Sequence, residues 1–548
     1  MTSRHLNPLL FASVAIAALV GMPVVSVLSN VLSGGTGAIW SHLAATVLPD
    51  YVANTLLLCV AVGTGVIIVG VATAWLTAMH DFPGRRIFAW ALVLPMAMPA
   101  YVLAYVYTDF LQFVGPLQTW LRDSFAWNRN DYWFPEVRSL GGAVAMFIFV
   151  LYPYVYLLAR TAFIERSSGM LEAARTLGLG PWQSFFRISL PLARPAIAAG
   201  ATLALMETLA DYGTVSYFGV QTFTTGIYRA WFSLGDRVAA AQLSAALLAF
   251  VIVLLLLEWR SRGRSRFHNT SGRRRQLAER RLSGWRGWLA TAGCVLPLGI
   301  GFVLPAVLLL RLTLAESEAP LGPQFIGLAR NSFLLAGLTS IIALTLAVLL
   351  AYGARLAKGA LAPALNRLVG LGYAVPGSVI AVGVLIPVTR LDHWLAATWQ
   401  NWSGENPGLL LTGGIAALVY AYLVRFLAVA LQSVGSSLGK ITHSMDDAAR
   451  SLGLGQAATL RRVHLPILRS SLFTAALLVF VDVMKELPAT LVMRPFDFDT
   501  LATQAYTLAA DERLAEAAAV SLAIVAVGLL PLIVLSQQIS RQIAGRGG

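Results

Sequence analysis

The sequence predicts an all-α integral membrane protein with about twelve transmembrane helices in two parallel six-helix repeats. Three observations lead to this fold class. Apolar residues make up 57% of the 548 residues and charged residues only 12%, whereas a soluble domain is about a quarter charged. The apolar residues form long runs, and one stretch of the first half recurs in the second. Together these observations exclude a soluble, fibrous or disordered protein.

Apolar runs of about 20 residues, the length that crosses a bilayer as a helix, occur twelve times. Prolines such as Pro95, Pro99 and Pro376 fall inside them, and bundled membrane helices tolerate this when neighbours satisfy the freed carbonyl groups. The first run is too long for the core of a signal peptide, so we expect a retained helix. The predicted spans are 9–32, 54–79, 87–114, 140–163, 196–218, 239–258, 288–312, 332–355, 366–389, 409–434, 470–492 and 515–537.

The charge distribution predicts the orientation. The net charge is +14, from 40 basic and 26 acidic residues. With a cytoplasmic N-terminus, 28 of the basic residues fall in inside segments and 10 in outside segments. Because Lys and Arg accumulate in cytoplasmic loops, we expect both termini in the cytoplasm. The Arg-rich stretch 260–286 is then a cytoplasmic linker close to anionic lipid rather than a nucleic-acid site, and it joins a first repeat, 1–259, to a second, 287–548.

The repeat is clearest in one loop of each half. The stretches EAARTLGLGPWQSFFRISLP, at 172–191, and DAARSLGLGQAATLRRVHLP, at 447–466, are identical at ten of twenty positions at a constant offset of 275. Upstream, Asn54 matches Asn331 and Pro99 matches Pro376 at an offset of 277. An even number of helices in each half makes the repeats parallel, related by an axis along the membrane normal. That symmetry predicts a pathway between the halves.

Each of these loops has the same local pattern. A helix of small residues ends at Gly178 or Gly453, a short amphipathic helix follows, and a Leu-Pro pair precedes the next span. The pattern therefore predicts a compact helical hairpin with a proline break before the membrane. An ordinary interfacial helix would explain one copy, but two copies at matching topological positions indicate a docking surface.

This pattern resembles the EAA motif, E-A-A-x3-G-x9-I-x-L-P, of the permease subunits of bacterial binding-protein-dependent ABC importers of type I. The second copy has Asp for Glu and Val for Ile. The resemblance implies that both loops hold a coupling helix that docks into a groove on an ATPase subunit. It also implies a bacterial inner-membrane location and a solute-binding protein as partner. The residues that carry it are Glu172, Ala173, Ala174, Gly178, Leu190, Pro191, Asp447, Ala448, Ala449, Gly453, Leu465 and Pro466.

The chain has no phosphate-binding loop of its own. A Walker A motif needs Gly-Lys followed by Ser or Thr, and the single Gly-Lys pair, Gly439-Lys440, is followed by Ile441. We therefore expect no bound cofactor and no enzymatic activity in this chain. The resemblance implies that ATP and Mg²⁺ are used by a partner ATPase, in two copies, one for each loop.

Charged residues stand inside two matching spans. The fifth span holds Glu207 and Asp211, and the eleventh holds Asp482, Lys485 and Glu486. A spacing of four predicts that each acidic pair lies on one helix face. Four carboxylates against one lysine suit a hard cation on a translocation path. Equally, Lys485 and the nearby Arg425 can pair with these acids as gate latches or structural pairs, so no metal site is firmly assigned.

The stretch from 485 to 513 suggests a substrate. The segments KELPAT (485–490), RPFDFDTLAT (494–503) and DER (511–513), within the fused layout, resemble ferric-iron importer permeases. This implies Fe(III) delivered by a periplasmic binding protein, and the outside loops 219–237 and 494–514 are where we expect that protein to dock. Fused permeases for thiamine or another small solute share the architecture and remain the alternative.

Two other classes compete with an ABC permease. An ATP-independent channel or secondary carrier needs no paired coupling loops. A membrane-embedded enzyme needs a catalytic cluster, and the sequence has neither a nucleophile–base arrangement nor a metal-ligand spacing among its seven His and two Cys residues. His464 lies in the second loop without an evident acid–base partner, so an interface role is expected for it.

Overall fold

A computed structural model describes residues 8–31, 37–166, 178–262, 280–315, 322–357 and 359–544. Nearly all regular structure in these ranges is helical. The helices of the first half are α1 (Pro8–Val31), α2 (Gly37–Thr46), α3 (Leu48–Met79), α4 (Arg85–Ala91), α5 (Ala100–Leu111), α6 (Pro116–Phe125), α7 (Leu140–Arg166), α8 (Pro181–Ser184), α9 (Leu190–Ala210), α10 (Gly213–Tyr217), α11 (Phe223–Tyr228) and α12 (Arg237–Arg262).

The second half repeats this series. Its helices are α13 (Trp285–Leu298), α14 (Leu304–Ala315), α15 (Pro323–Leu356), α16 (Leu361–Gly370), α17 (Gly377–Ser403), α18 (Ala416–Leu438), α19 (His443–Ser451), α20 (Gln456–Thr459), α21 (Leu465–Met484), α22 (Pro488–Met493), α23 (Leu501–Ala510) and α24 (Leu514–Ala544). The one strand pairing in the described ranges is a two-residue parallel bridge between β1 (His80–Asp81) and β2 (Arg280–Arg281).

The prediction of about twelve membrane helices is confirmed. Within the described residues, eleven helices are long and apolar enough to cross a membrane, and a bent pair, Arg85–Ala97 with Ala100–Phe125, brings the total to twelve. The fifth and eleventh spans differ in their limits, because they run from Trp182 to Ala210 and from Gln456 to Met484 rather than over 196–218 and 470–492. Each starts earlier because the amphipathic helix of the loop continues directly into the span.

The third span of each half is broken at a matching proline. Pro99 caps α5 and Pro376 caps α17, and a short 3₁₀ segment precedes each proline, Leu94–Ala97 in the first half and Leu371–Ala374 in the second. A proline pushes the preceding residue out of the helical region, and Met98 and Val375 both have extended backbone angles. In the first half the two parts of the span meet at 91°.

Helix packing divides the chain into two compact units. The first unit contains Met1–His42, Gly226–Leu248 and Leu321–Gln504. Its centre is the group α15, α18 and α21, which pack against one another, and α1 packs on α15, α16 and α17. Tyr422 on α18 is fully buried there.

The second unit contains Leu43–Thr225, Ala249–Pro320 and Ala505–Gly548. Helices α3, α7 and α9 form its centre, and α14 packs on α5 and α24. Tyr152 and Tyr156 on α7 are fully buried. Each unit therefore combines the second to fifth spans of one sequence half with the first span of the other. The predicted repeat limits, 1–259 and 287–548, describe the sequence rather than the packing, and most of the predicted linker 260–286 lies outside the described residues.

Candidate coupling loops and intramembrane charges

The second loop is a helical hairpin that turns at a glycine. Helix α19 ends where Gly453 adopts a φ of +77°. The N–H of Gly453 donates to the carbonyl of Arg450, at 3.0 Å, and the N–H of Leu454 donates to that of Ala449, at 3.0 Å. These two bonds form a Schellman motif, which satisfies carbonyls at the helix end and needs a left-handed residue. The glycine stop expected from the sequence is present, and Asp447 and Ala448 before it are exposed.

The first loop is described only from Gly178 onward. Gly178 has a φ of +76°, within one degree of its match in the second loop, and it is exposed. Glu172, Ala173 and Ala174 lie outside the described residues. Leu190 and Pro191 begin α9, as Leu465 and Pro466 begin α21.

The proline break expected before each span is wrong. Both loops instead enter the membrane through a π-helical turn, over Phe185–Ser189 and Leu460–His464. The N–H of Leu190 donates to the carbonyl of Phe185, five residues back, and the N–H of Leu465 does the same to Leu460. A proline has no N–H and crowds the carbonyl four residues before it. The widened turn accommodates the proline ring, so the helix continues.

A buried ion pair anchors the second loop to a membrane helix. Arg355, in the last turn of α15, lies 2.7 Å (Nη2) from Oδ2 of Asp446 on α19. The same guanidinium donates to the carbonyls of Leu438 and Ile441, each at 2.9 Å. Burial raises the pKa of the Asp446 carboxyl, but the hydrogen bonds and charge of Arg355 outweigh it, so the pKa lies below its usual range.

His464 has an acidic partner that sequence reasoning missed. Its Nε2 lies 2.7 Å from Oδ1 of Asp446, and the imidazole is fully buried. Its ring packs edge-on against Tyr352, whose hydroxyl donates to the carbonyl of Gln456 at 2.9 Å. The sequence contained a signal, because Asp446 stands directly before the EAA-like Asp447. Nothing in the spacing indicated that Asp446 and His464, eighteen residues apart in the sequence, are in contact.

Aromatic side chains occupy the corresponding place in the first half. Trp75 on α3 contacts Phe185, with ring centroids 4.7 Å apart, and Phe163 on α7, at 5.2 Å. Trp182 and Phe186 of the same loop are exposed. From Gly178 and Gly453 onward, the described parts of the two loops therefore share the glycine conformation and the π turn but differ in the side chains that contact the membrane helices.

Asp211 and Glu486, at matching positions, each cap a short helix. Oδ1 of Asp211 accepts the N–H groups of Thr214, at 2.9 Å, and Val215, at 3.2 Å. The Glu486 carboxylate accepts those of Ala489, at 2.9 Å, and Thr490, at 3.0 Å. In both halves the acid thus binds the N–H groups three and four residues ahead. This arrangement stabilises a break between the long span and the helix after it.

The prediction that each acidic pair lies on one helix face is wrong. Helix α9 ends at Ala210 and α21 at Met484, so each helix stops between the two acids of its pair. The first acid of each pair, Glu207 or Asp482, remains on the long helix and is half-buried. The second, Asp211 or Glu486, belongs to the cap that follows.

Two basic residues, Lys485 and Arg425, pair with the acids Asp482 and Glu486 of the first unit. Nζ of Lys485 lies 3.0 Å from Oδ1 of Asp482, and Nη1 of Arg425 lies 3.4 Å from Oε1 of Glu486. The Arg425–Glu486 pair is almost completely buried. Gly377 leaves room for it, since a Cβ there would come within 2.8 Å of Oε1 of Glu486. Among the described residues, no group of three or more His, Cys, Asp or Glu side chains is placed to hold a metal ion.

Two further polar contacts tie α3 and α15, near their N-terminal ends, to the loops 219–237 and 494–514. The side-chain amide of Asn54 on α3 donates to the carbonyl of Gln221 at 2.8 Å. Asn331 on α15 donates in the same way to Asp499 at 3.0 Å. The sequence repeat had matched these asparagines without indicating a role, and the matching contacts supply one.

Comparisons with known proteins agree with this geometry. Residues 66–259 match the family described as binding-protein-dependent transport system inner membrane component. The Fe(3+)-transport system permease protein FbpB 2 of Haemophilus influenzae is 26% identical over 495 residues, which cover 89% of this chain and 90% of that protein. A probable sulfate transport system permease protein, cysT of Chlorokybus atmophyticus, is 36% identical over 27% of this chain and 48% of its own length. The molybdenum transport system permease protein ModB of Escherichia coli is 29% identical over 35% of this chain and 84% of its own length.

The described residues hold eleven or twelve candidate membrane spans, and in each half a helical turn leads directly into the fifth span. Residues 66–259 match the inner membrane component of binding-protein-dependent transport systems, and nearly the whole chain is similar to a permease of that kind. It has the two-repeat layout and nearly the full length of its ferric-iron permease relative. The family implies an importer that works with an ATPase and a solute-binding protein.

Proposed function

We propose that this chain forms the translocation pathway of an ATP-driven importer for ferric iron. A periplasmic binding protein delivers the iron, and two copies of a separate ATPase dock at the loops 172–191 and 447–466. Both termini are cytoplasmic. The chain holds no cofactor of its own, because ATP and Mg²⁺ bind to the ATPase.

The matched loop geometry is the observation that carries this proposal. Gly178 and Gly453 share a left-handed conformation, and each loop continues through a π turn into a long span. In the second loop the exposed side of α19 includes Asp447, Ala448 and Arg450, and Leu452 at its end is also exposed, so the hairpin presents both charged and apolar side chains outward. A rigid hairpin that ends on a membrane helix is suited to transmitting a push from a docked subunit.

Two observations favour ferric iron as the substrate. The ferric-iron permease aligns with nearly the whole chain, whereas the sulfate and molybdenum permeases align with about a third of it or less. Carboxylates are also the ligands that suit a hard trivalent cation. Of the four acids in the paired spans, Glu207 and Asp482 lie on the long helices and are half-buried.

The intramembrane charges support a division of roles. We assign Glu486 to a latch, because it is buried against Arg425 and caps α22. Asp211 caps α10 in the same way. Glu207 and Asp482 stand one turn earlier, on the long helices, and Lys485 directly follows α21 and pairs with Asp482; these three are the candidates for the translocation path.

The test is uptake by the whole transporter in proteoliposomes. The chain is reconstituted with its ATPase, binding protein is added outside, and ATP is enclosed. Ferric iron should accumulate when all three components and ATP are present, and accumulation should stop when the ATPase carries a substitution of its phosphate-binding lysine. Iron uptake that survives this substitution would contradict an ATP-driven importer and favour a channel or secondary carrier.

The same vesicles separate the alternative substrates. Thiamine and molybdate are offered in parallel, each with the binding protein loaded by that solute. Stimulation of ATP hydrolysis by thiamine-loaded protein alone would overturn the assignment of iron and leave the permease assignment intact. Labelling of single cysteines near residues 8 and 544 from the ATPase side checks the predicted orientation.

A further inference from the structure

The second loop is attached to its membrane helices by charged side chains. In the second loop, Arg355 on α15 and His464 at the start of α21 both contact Asp446 on α19. The three residues come from three separate segments. Their network therefore fixes the position of α19 relative to two membrane helices at once.

The matching positions of the first half carry other residues. At the offset of 277, Ala78 stands where the second half has Arg355, and Trp75 stands where it has Tyr352. At the offset of 275, Leu171 and Ser189 stand in place of Asp446 and His464. Among the described residues of that half, the ring of Trp75 contacts those of Phe163 and Phe185. Such contacts tolerate sliding more readily than an ion pair with directed hydrogen bonds.

The ionic network is built into the fold rather than lying on its surface. The side chains of Arg355 and Asp446 are 7% and 14% exposed, and His464 is fully buried. Arg355 also donates to the carbonyls of Leu438, the last residue of α18, and Ile441, in the connection between α18 and α19. The guanidinium therefore holds both the start of the loop and its helix.

We propose that Arg355, Asp446 and His464 form an ionic clamp that positions the second coupling helix, α19. The clamp residues are positioning residues, since they act through α19. This inference rests on the proposed function, in which α19 docks on an ATPase. It adds that neutralising the Asp446 carboxylate loosens this ATPase contact.

The test replaces Asp446 by Asn, which keeps its size and removes its charge. Glu405→Gln is the matched control, because Glu405 is exposed in the connection between α17 and α18. In nanodiscs without partners, amide hydrogen exchange within 443–451 should accelerate at least about tenfold in Asp446→Asn, because local opening no longer breaks the ion pair. Exchange within 181–189 should not change, and Asp446→Glu should restore slower exchange.

With the ATPase present, the number of solute molecules imported per ATP hydrolysed should fall at least about threefold in Asp446→Asn and recover in Asp446→Glu. A merely structural role would lower uptake and ATP hydrolysis together and leave their ratio unchanged, and that result would overturn the proposal. If the chain has no ATPase partner, the wild type fails the coupling assay and the proposed function fails. The exchange measurement then still decides the clamp, and unaltered exchange within 443–451 would refute it.

Discussion

Replacing Glu486 by Gln should destabilise the first unit more than any other single amide substitution among the four acids. The side chain of Glu486 is 2% exposed and that of its partner Arg425 is 9% exposed. Removing one member of a buried pair leaves the other charge uncompensated, which costs about 3–5 kcal/mol. The amide keeps one acceptor oxygen, so one of the N–H groups of Ala489 and Thr490 also loses its acceptor.

Two matched substitutions set the scale for this effect. Asp211→Asn keeps the Oδ1 atom that accepts the N–H groups of Thr214 and Val215 and loses the hydrogen bond that the Thr214 hydroxyl donates to Oδ2, which costs about 1–3 kcal/mol. Asp482→Asn breaks the more exposed pair with Lys485, for which we expect at most about 1 kcal/mol. The predicted order of destabilisation is therefore Glu486→Gln, then Asp211→Asn, then Asp482→Asn.

The assay measures the midpoint of thermal unfolding in one detergent, with tryptophan fluorescence as the signal. A double-mutant cycle combines Glu486→Gln with Arg425→Met. The double variant should lose less stability than the sum of the single losses, since it leaves no unpaired charge. Additive losses, or a Glu486→Gln variant no less stable than Asp482→Asn, would refute the reasoning from burial.

Measuring uptake and ATP hydrolysis in the same variants separates a path from a latch. If the acids line a cation path, uptake should fall in most amide variants of Glu207, Asp211, Asp482 and Glu486 while stimulated ATP hydrolysis persists. If Glu486 is a latch, its variant should change the regulation of ATP hydrolysis. Unaltered uptake and hydrolysis in all four variants would contradict both roles.

Three further outcomes are expected. Gly178→Val and Gly453→Val should uncouple ATP hydrolysis from uptake, because a left-handed conformation costs a β-branched residue about 1–2 kcal/mol or more. Asn at either position should be tolerated. Normal transport by both valine variants would count against the coupling loops. The stability from the Asp446 pair should be complete above the usual pKa of an Asp and should disappear as the pH falls through its lowered pKa, so acid titration of wild type and Asp446→Asn should converge at low pH. Cross-links from the binding protein should fall in 219–237 and 494–514, and cross-links that avoid both would contradict that docking site.

Those features that depend on local sequence were predicted well. The length of the apolar runs predicted the number of spans, and the repeated glycine predicted the stop of α19, because a left-handed helix end is a local requirement. The Leu-Pro pair was misread as a break. Because a proline usually interrupts a helix, the sequence pattern gave no sign that a π turn would let the helix continue.

Features that depend on tertiary contact were missed. The contact between Asp446 and His464 joins segments eighteen residues apart, and neither side chain has a recognisable spacing. The sequence also did not predict that the first helix of each half packs with the helices of the other half. A sequence repeat shows which segments are similar and does not show which helices pack together. The assignment of Lys485 to Asp482 and Arg425 to Glu486 was one of two alternatives that the residues left open.

The continuity of each span across its π turn determines where a push on the loop is felt. Helix Gln456–Met484 has 29 residues, and so has Trp182–Ala210, which makes each about 43 Å long at 1.5 Å per residue. Within that length a helix bends most readily at a proline or a π turn, such as Pro195 in α9 or the turns before Leu190 and Leu465. The helical hydrogen bonding itself stops at Asp211 or Lys485. Under the proposed function, we therefore expect a movement of either loop to reach the pathway at the acids that hold these breaks, Glu486 and Asp211.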